Sequence, residues 1–208
     1  MHIHNLIQRY PALAGCQSDI AAAAGMLIDC FAGGGKLLVC GNGGSAADAD
    51  HIVGELMKAF LLPRRLPDAE MQALQKLGED GAWLAATLER GLPAVSLCAH
   101  SALMTAVAND RTAETIFAQQ VTALGCPGDV LMTISTSGNS RNCVLAAKMA
   151  KLRDLRVIAL TGAKESRLSA AADVCIRVPE TETYKVQEMH LPVYHALCAQ
   201  IEAHFFGE

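Results

Sequence analysis

Aromatic side chains are scarce in this 208-residue chain: Trp occurs once, Tyr three times and Phe five times, only 4% of residues, although hydrophobic residues make up 51%. So high an apolar fraction in so short a chain points to surface buried between copies, because obligate interfaces resemble cut cores, and a homo-oligomer is expected. Mean hydropathy is +0.25, yet no apolar run approaches the roughly 20 residues of a membrane span. Lysines and arginines form no cluster able to line a phosphate-backbone groove, and the formal net charge is -4 at pH 7, so nucleic acid is not an expected direct ligand. Cys16, Cys30, Cys40, Cys98, Cys126, Cys143, Cys175 and Cys198 are scattered without a C-x-x-C pair. Several sit in apolar segments, where a free thiol behaves as a small hydrophobe, so no disulfide framework is expected. The opening "MHIHNLIQRYPALAG" lacks the charged leader and long apolar segment of a secretion signal, and the reduced cytoplasm is the expected compartment.

What is present is an alternation of helical and continuous apolar segments. "SDIAAAAGMLIDCFAGGG" offers Ser18 or Asp19 as a helix cap, carries apolar residues at helical spacing and ends in three glycines. "KLLVCG", "PAVSL", "DVLMTIS", "RVIALTG" and "DVCIRVP" are short, apolar and often β-branched, as buried parallel strands are. Helical segments lie between most of them. The order predicts an α/β fold, a three-layer αβα sandwich on a five-stranded parallel sheet, as one domain over residues 1–208. Ligands of such sheets gather at the carboxyl ends of the strands.

Two motifs lie there. In "CGNGGSAAD", Gly41, Gly43 and Gly44 permit a tight turn and close backbone approach, and Ser45 or Asp48 can cap the following helix. In "STSGNS", Ser135, Thr136, Ser137 and Ser140 crowd around Gly138. Hydroxyls and free N–H groups at helix N-termini bind anions without a fixed positive charge. "GNGGSA" lacks the last glycine of G-x-G-x-x-G, and no G-K-[ST] occurs, so the pair suits a phosphate monoester better than a dinucleotide or a nucleoside triphosphate.

His51 and Glu55 follow the first motif four residues apart, on one helix face. Near the C-terminus, "YKVQEMHLPVYHALC" carries Gln187, Glu188, His190 and His195 around Pro192. At 100° per residue His195 lies roughly 80° round from Gln187 and His190 roughly 60° the other way. Pro192 is expected to bend the helix, so wheel geometry alone does not choose between the histidines.

"GNGGSAADADHIVGEL", "STSGNS", "VIALTG" and "QEMHLPVYHALC", in this order, resemble a sugar isomerase (SIS) domain, most similar to the phosphoheptose isomerases. The resemblance covers nearly the whole chain. It implies the SIS fold, a five-stranded parallel sheet between helices, and a homotetramer with active sites shared between subunits. The implied reaction interconverts sedoheptulose 7-phosphate and D-glycero-D-manno-heptose 7-phosphate. Ser45, Ser135, Thr136, Ser137 and Ser140 would grip the phosphate of the sugar, with Asn42, Gly43, Gly44 and Gln187 against the substrate and Asp110 beside the site. His51, Glu55, Gln187 and His195 match a zinc-binding set, one ion per site. Glu55 matches the catalytic base and His195 the catalytic acid, which requires the bond of Glu55 to metal to be weak or transient. His190 is left as a packed residue or one behind the ligands.

The chain also departs from the family. Ala59 stands where an arginine usually meets the substrate, with Lys58, Arg64 and Arg65 as substitutes, and Tyr184 replaces an acidic residue, with Glu180 and Glu182 nearby. Residues 61–93 form a long helical insertion, in which Met71, Leu74 and Leu77 fit one helical face that Trp83, Leu84 and Leu88 could continue. A neighbouring subunit or the sugar is its expected contact. A second class of function also fits the motifs: SIS domains serve as non-catalytic sugar-phosphate sensors, and a bacterial relative binds the replication initiator DnaA. That relative lacks the glutamate and final histidine kept here as Glu55 and His195, which favours the enzyme.

Overall fold

The computed structural model describes residues 1–207. Its order is α1 (His2–Arg9), a 3-10 turn Pro11–Cys16, α2 (Gln17–Ala32), β1 (Leu37–Gly41), α3 (Gly44–Met57), α4 (Asp68–Gln75), α5 (Glu79–Thr87) and β2 (Ala94–Ser96). There follow α6 (Ser101–Asp110), a 3-10 turn Ala113–Thr115, α7 (Ile116–Leu124), β3 (Val130–Ile134), α8 (Arg141–Leu152), β4 (Arg156–Thr161), β5 (Val174–Arg177) and α9 (Thr183–Phe206). The five strands form one sheet in the order β2-β1-β3-β4-β5, with every pair parallel.

The strands read as unbroken apolar runs because both faces are covered, and their alternation sorts the core into two layers. Leu37 and Val39 of β1 pack with α1, α2, α3 and α9 on one face. Leu38 and Cys40 point the other way, into a layer with Phe117 and Val121 of α7 and Val144 and Ala147 of α8. The chain steps from β1 outward to β2 and then returns to the other side of β1 with β3. The crevice at the carboxyl ends of β1 and β3 is therefore the topological switch point, where α/β sheets bind ligands.

Two local expectations are revised. The first glycine turn and the long N-terminal helix carry no side-chain cap: α3 is preceded by Gly43 and α2 by Cys16. The reason for α3 is that Gly43, at φ 56, turns the chain directly into the helix, while Asp48 is drawn to Tyr194 instead. The helical stretch Pro11–Ala32 reaches the length and mean hydropathy, 1.2, of a membrane span. Its apolar face is used inside the protein, where Leu13, Ile20, Ala23 and Leu27 are at most 1% exposed.

The insertion is a helical hairpin, α4 against α5, with Gly78 at φ 81 in the turn. Gly81 lies against the Leu74 carbonyl, leaving no room for a side chain. The hairpin contributes little to the core: α4 buries no residue and α5 only Gly81, while Leu77 is 69% and Trp83 67% exposed. Its root is anchored by Arg64, described below.

Candidate active site

At the N-terminal end of α3, β1 runs into Gly41, whose Cα sits so close to Ser45 that an added Cβ would fall 2.8 Å from the Ser45 Cβ. Gly44 faces the Gln187 amide of α9 in the same way, at a distance no side chain could share. The first turn of α3 is thus naked backbone. Asn42 ties this turn to the start of α8 through two reciprocal amide bonds with Asn142, at 2.9 and 2.8 Å. Beside it, Ser135 Oγ lies 2.9 Å from Ser140 Oγ, and the Ser137 hydroxyl accepts from the Asn139 N–H at 3.2 Å. Gly138, at φ 64, packs against Ser166 and lets the loop curl. Neither α3 nor α8 has a side-chain cap, and their N-termini, tied together by Asn42 and Asn142, lie beside a set of hydroxyls at the switch point, an arrangement that suits an oxyanion.

Further along α3 the materials change. His51 Nε2 and Glu55 Oε1 are 3.0 Å apart, and Lys58 donates to the other Glu55 oxygen at 3.4 Å. The His195 ring stands edge-on to His51, centroids 5.0 Å apart, and is covered by Phe60 at 5.6 Å. Burial, then the His51 and Arg9 charges, lower the His195 pKa against the opposing pull of Glu55. His195 also borders a cavity of about 470 Å³ lined in part by Arg9, Tyr10, Phe60 and Leu191. Tyr194 lies behind the pair, donating to Asp48 Oδ1 at 3.2 Å and touching His51 Nδ1 at 3.1 Å.

Beneath this end lies a fully buried ion pair. Arg64 donates through Nε to Glu202 at 2.8 Å, and through its other nitrogens to the carbonyls of Leu56 and, at 2.9 Å, Glu55. Glu202 accepts from the N–H groups of Phe60, Leu61 and Leu62 at 2.8, 2.7 and 3.1 Å. Burial pushes the Glu202 carboxyl up, but those N–H groups and the guanidinium outweigh it and hold the group below the ordinary carboxylate value. The pair closes the C-terminus of α3 and fixes the turn that carries Phe60.

The expected residues therefore fall into two groups. Asn42, Gly43, Gly44, Ser45, Ser135, Thr136, Ser137, Ser140 and Gln187 frame the hydroxyl end, and His51, Glu55 and His195 the ionisable end. Ser45 and Glu55 are separated by about 15 Å of helix rise, and Gln187 precedes His195 by about 12 Å on α9. Asp110 joins neither group: it is exposed at the end of α6, bonded to Asn109 at 2.8 Å. Of the substitutes for the missing arginine, Arg64 is committed to Glu202 and Arg65 is 78% exposed on its side chain, which leaves Lys58 beside Glu55. Pro192 lies within α9, which runs unbroken from Thr183 to Phe206. His190 is fully buried on it with neither ring nitrogen partnered.

Four of these residues were expected as a zinc set. His51, Glu55 and His195 are neighbours, but Gln187 leans on Gly44 at the other end, and among the described residues no three His, Cys, Asp or Glu side chains are grouped to hold a metal ion. Tyr194, Asp48 and the Arg64–Glu202 pair were not anticipated. The spacing of Asp48, His51 and Glu55 at i, i+3 and i+7 was a visible signal, since it puts all three on one helix face.

Residues 4–90 and 84–162 match the SIS domain family. The phosphoheptose isomerase of Rhodospirillum rubrum is 40% identical over 190 residues, 91% of this chain and 88% of the relative. That of Akkermansia muciniphila is 35% identical over 205 residues, covering 99% and 95%. The solved phosphoheptose isomerase from Neisseria gonorrhoeae superposes with a TM-score of 0.76 at 34% identity, over 97% of this chain and 95% of that one.

Proposed function

The chain belongs to the SIS-domain family, among the phosphoheptose isomerases, and from that premise we propose that it interconverts sedoheptulose 7-phosphate and D-glycero-D-manno-heptose 7-phosphate. It is an aldose–ketose isomerase acting on a sugar phosphate. The observation that carries its mechanism is the placement of the His51–Glu55 pair on the helix whose N-terminus frames the hydroxyl pocket, with His195 of α9 set against His51.

The reaction moves a proton between C1 and C2 and another between their oxygens, through an enediolate whose charge must be met. In this reading Ser45, Ser135, Thr136, Ser137 and Ser140 and the two helix N-termini hold the phosphate, while Asn42, Gly43, Gly44 and Gln187 border the sugar. Glu55 takes the carbon-bound proton. His195, kept neutral by burial and by the His51 and Arg9 charges, has one N–H to give and one lone pair to receive, so it can serve both oxygens in turn. A substrate phosphorylated far from its carbonyl suits a site whose oxyanion and base ends are well separated along α3. Lys58, at 3.4 Å from Glu55, supplies positive charge near the developing enediolate.

Three further features belong to the proposal. A homotetramer with shared sites is supported by the exposure of Leu61, Leu77, Trp83, Leu88, Leu103 and Leu191, and would bring Asp110 of one copy to the site of another. Cytoplasmic residence is supported by free thiols, with Cys16, Cys30, Cys40, Cys143 and Cys198 buried. Zinc would be held by His51, Glu55, Gln187 and His195, of which His51 and Glu55 are 3.0 Å apart and the His51 and His195 rings 5.0 Å apart between centroids, and no step above depends on it. The deciding experiment is an isomerisation assay of the purified protein on six- and seven-carbon phosphosugars, with metal analysis and light scattering of the same sample. Turnover of sedoheptulose 7-phosphate is expected; turnover of none of the panel would overturn the reading.

A further inference from the structure

Both ends of the insertion over residues 61–93 meet the C-terminus of α3. The last carbonyls of a helix have no partner within it. Here the insertion supplies partners: Arg64, on the way out, donates to the carbonyls of Glu55 and Leu56, and Leu92, on the way back, gives its N–H to Leu56 at 2.9 Å. Gly91 comes so close that an added Cβ would lie 2.7 Å from the Met57 carbonyl oxygen, so the returning segment runs bare against the helix end. The Arg90 N–H bonds the Arg64 carbonyl at 2.7 Å, and Glu89 faces Arg65 in an antiparallel bridge. The outgoing and returning ends are thus joined to each other as well as to α3.

The turn after α3 is held by carboxylates. Buried Glu202 takes the N–H groups of Phe60, Leu61 and Leu62, and Glu89 Oε2 takes that of Ala59 at 2.9 Å. Two groups of the ionisable end ride on this turn. Lys58 donates to Glu55 at 3.4 Å and to the Ala59 carbonyl at 3.1 Å, and the Phe60 ring lies 5.6 Å from that of His195. Glu202 secures the Phe60 side, while Glu89 fixes the peptide that joins Lys58 to Ala59.

We propose that Glu89 is a positioning residue: from the returning end of the insertion it locks the Lys58–Ala59 peptide, and so keeps Lys58 against Glu55 and Phe60 over His195. The bond is charge-assisted and restricts one peptide, and reacting groups tolerate little displacement, since about 1 Å can cost about 100-fold in rate. This gives the root of the insertion a part in the reaction, separate from whatever its exposed tip contacts.

The effect on turnover rests on the isomerase reading, whereas the hold on the turn does not. Glu89 is exposed, so Glu89→Ala is expected to fold with an unfolding midpoint near wild type. Its Ala59 amide, followed at single-residue resolution by hydrogen–deuterium exchange of the full chain, should exchange about 10-fold faster or more. With sedoheptulose 7-phosphate, kcat should fall about 10-fold while KM and inhibition by inorganic phosphate stay near wild type, because the oxyanion end is untouched. Glu89→Gln keeps an oxygen for the Ala59 N–H and should restore both readouts. Gly91→Ala, whose methyl pushes the returning segment off Met57, is the second variant should Glu89→Ala fail to fold, with the same losses expected. A Glu89→Ala protein with wild-type kcat or unchanged Ala59 exchange, or a Glu89→Gln protein as impaired as Glu89→Ala, overturns the inference. A wild-type protein inert on every phosphosugar defeats the proposed function instead, and exchange at Ala59 still decides whether Glu89 holds the turn.

Discussion

At its N-terminal end α3 presents glycine backbone beside a set of hydroxyls, whereas its C-terminal half is ringed by ionisable side chains held from behind by a buried ion pair. The contrast follows from helix physics. The first turn has free N–H groups and a positive partial charge, so small residues that expose the backbone suffice to attract an anion. The last turn offers only carbonyls, which Arg64 covers by donating to Glu55 and Leu56. In the proposed mechanism binding falls to the end where the backbone does the work, and proton transfer to the end where side chains must.

The sharpest way to break this division is at Glu55. Glu55→Gln keeps the shape and the hydrogen-bonding reach but cannot take a proton, so kcat should fall about 100- to 10,000-fold. Affinity for a phosphosugar should stay near wild type, because the oxyanion end is untouched. Calorimetric titration alongside the assay separates the two, and equal losses in both would erase the division of labour.

Next in size is the support beneath. Arg64→Met leaves Glu202 buried without its guanidinium and should cost about 3–5 kcal/mol in denaturant unfolding. Replacing a buried pair by two apolar residues is often harmless, but here each partner also satisfies backbone groups: Glu202 holds three N–H groups and Arg64 two carbonyls. Arg64→Met with Glu202→Leu is therefore expected to remain as unstable as the worse single variant. A double variant of wild-type stability would show that the backbone bonds contribute little.

This pair also marks where sequence reasoning stops. The five strands were legible because burial on both faces leaves unbroken apolar runs, and the hydroxyl motifs because they follow strands. His51 and Glu55 were legible by helical spacing. Nothing local separates Arg64, fully buried, from Arg65, whose side chain is 78% exposed: the distinction is made by Glu202, 138 residues away. Tyr194 was hidden in the same way, since its partners Asp48 and His51 lie on another helix. The hairpin's apolar residues suggested contact with a neighbouring subunit or the sugar, and within the single chain Leu77 and Trp83 stay exposed.

His190 extends the comparison to α9, where a titratable group sits unpaired between the two ends. Burial lowers its pKa from 6.5 to about 4, against a smaller opposing pull from the nearby Thr161 backbone, which makes no bond of good geometry with it. The unfolded chain takes up this proton as pH falls through 6.5, whereas the folded chain refuses it until about 4. Stability from this group is therefore complete above the unfolded value and is lost across that window, on the order of 3 kcal/mol. Urea unfolding at pH 7 and pH 4.5 measures it. His190→Leu should flatten this part of the acid limb, and an unchanged limb would place the acid sensitivity elsewhere.

The smallest effect is expected from one hydroxyl of the oxyanion end. Ser137 is exposed and its Oγ accepts only from the neighbouring Asn139 N–H, so Ser137→Ala should leave the fold intact. A hydrogen bond to a charged group contributes about 1.5–3 kcal/mol, so phosphosugar affinity should fall about 10- to 150-fold, with kcat at saturation nearly unchanged. Ser140→Ala is the informative companion, because Ser140 precedes α8 and its hydroxyl pairs with Ser135 at 2.9 Å. Its removal leaves the Ser135 hydroxyl, on a residue 4% exposed, without that partner and should weaken both affinity and stability. If Ser137→Ala instead lowered kcat and left affinity alone, the hydroxyl end would be part of the chemistry, and the separation of binding from proton transfer along α3 would fail.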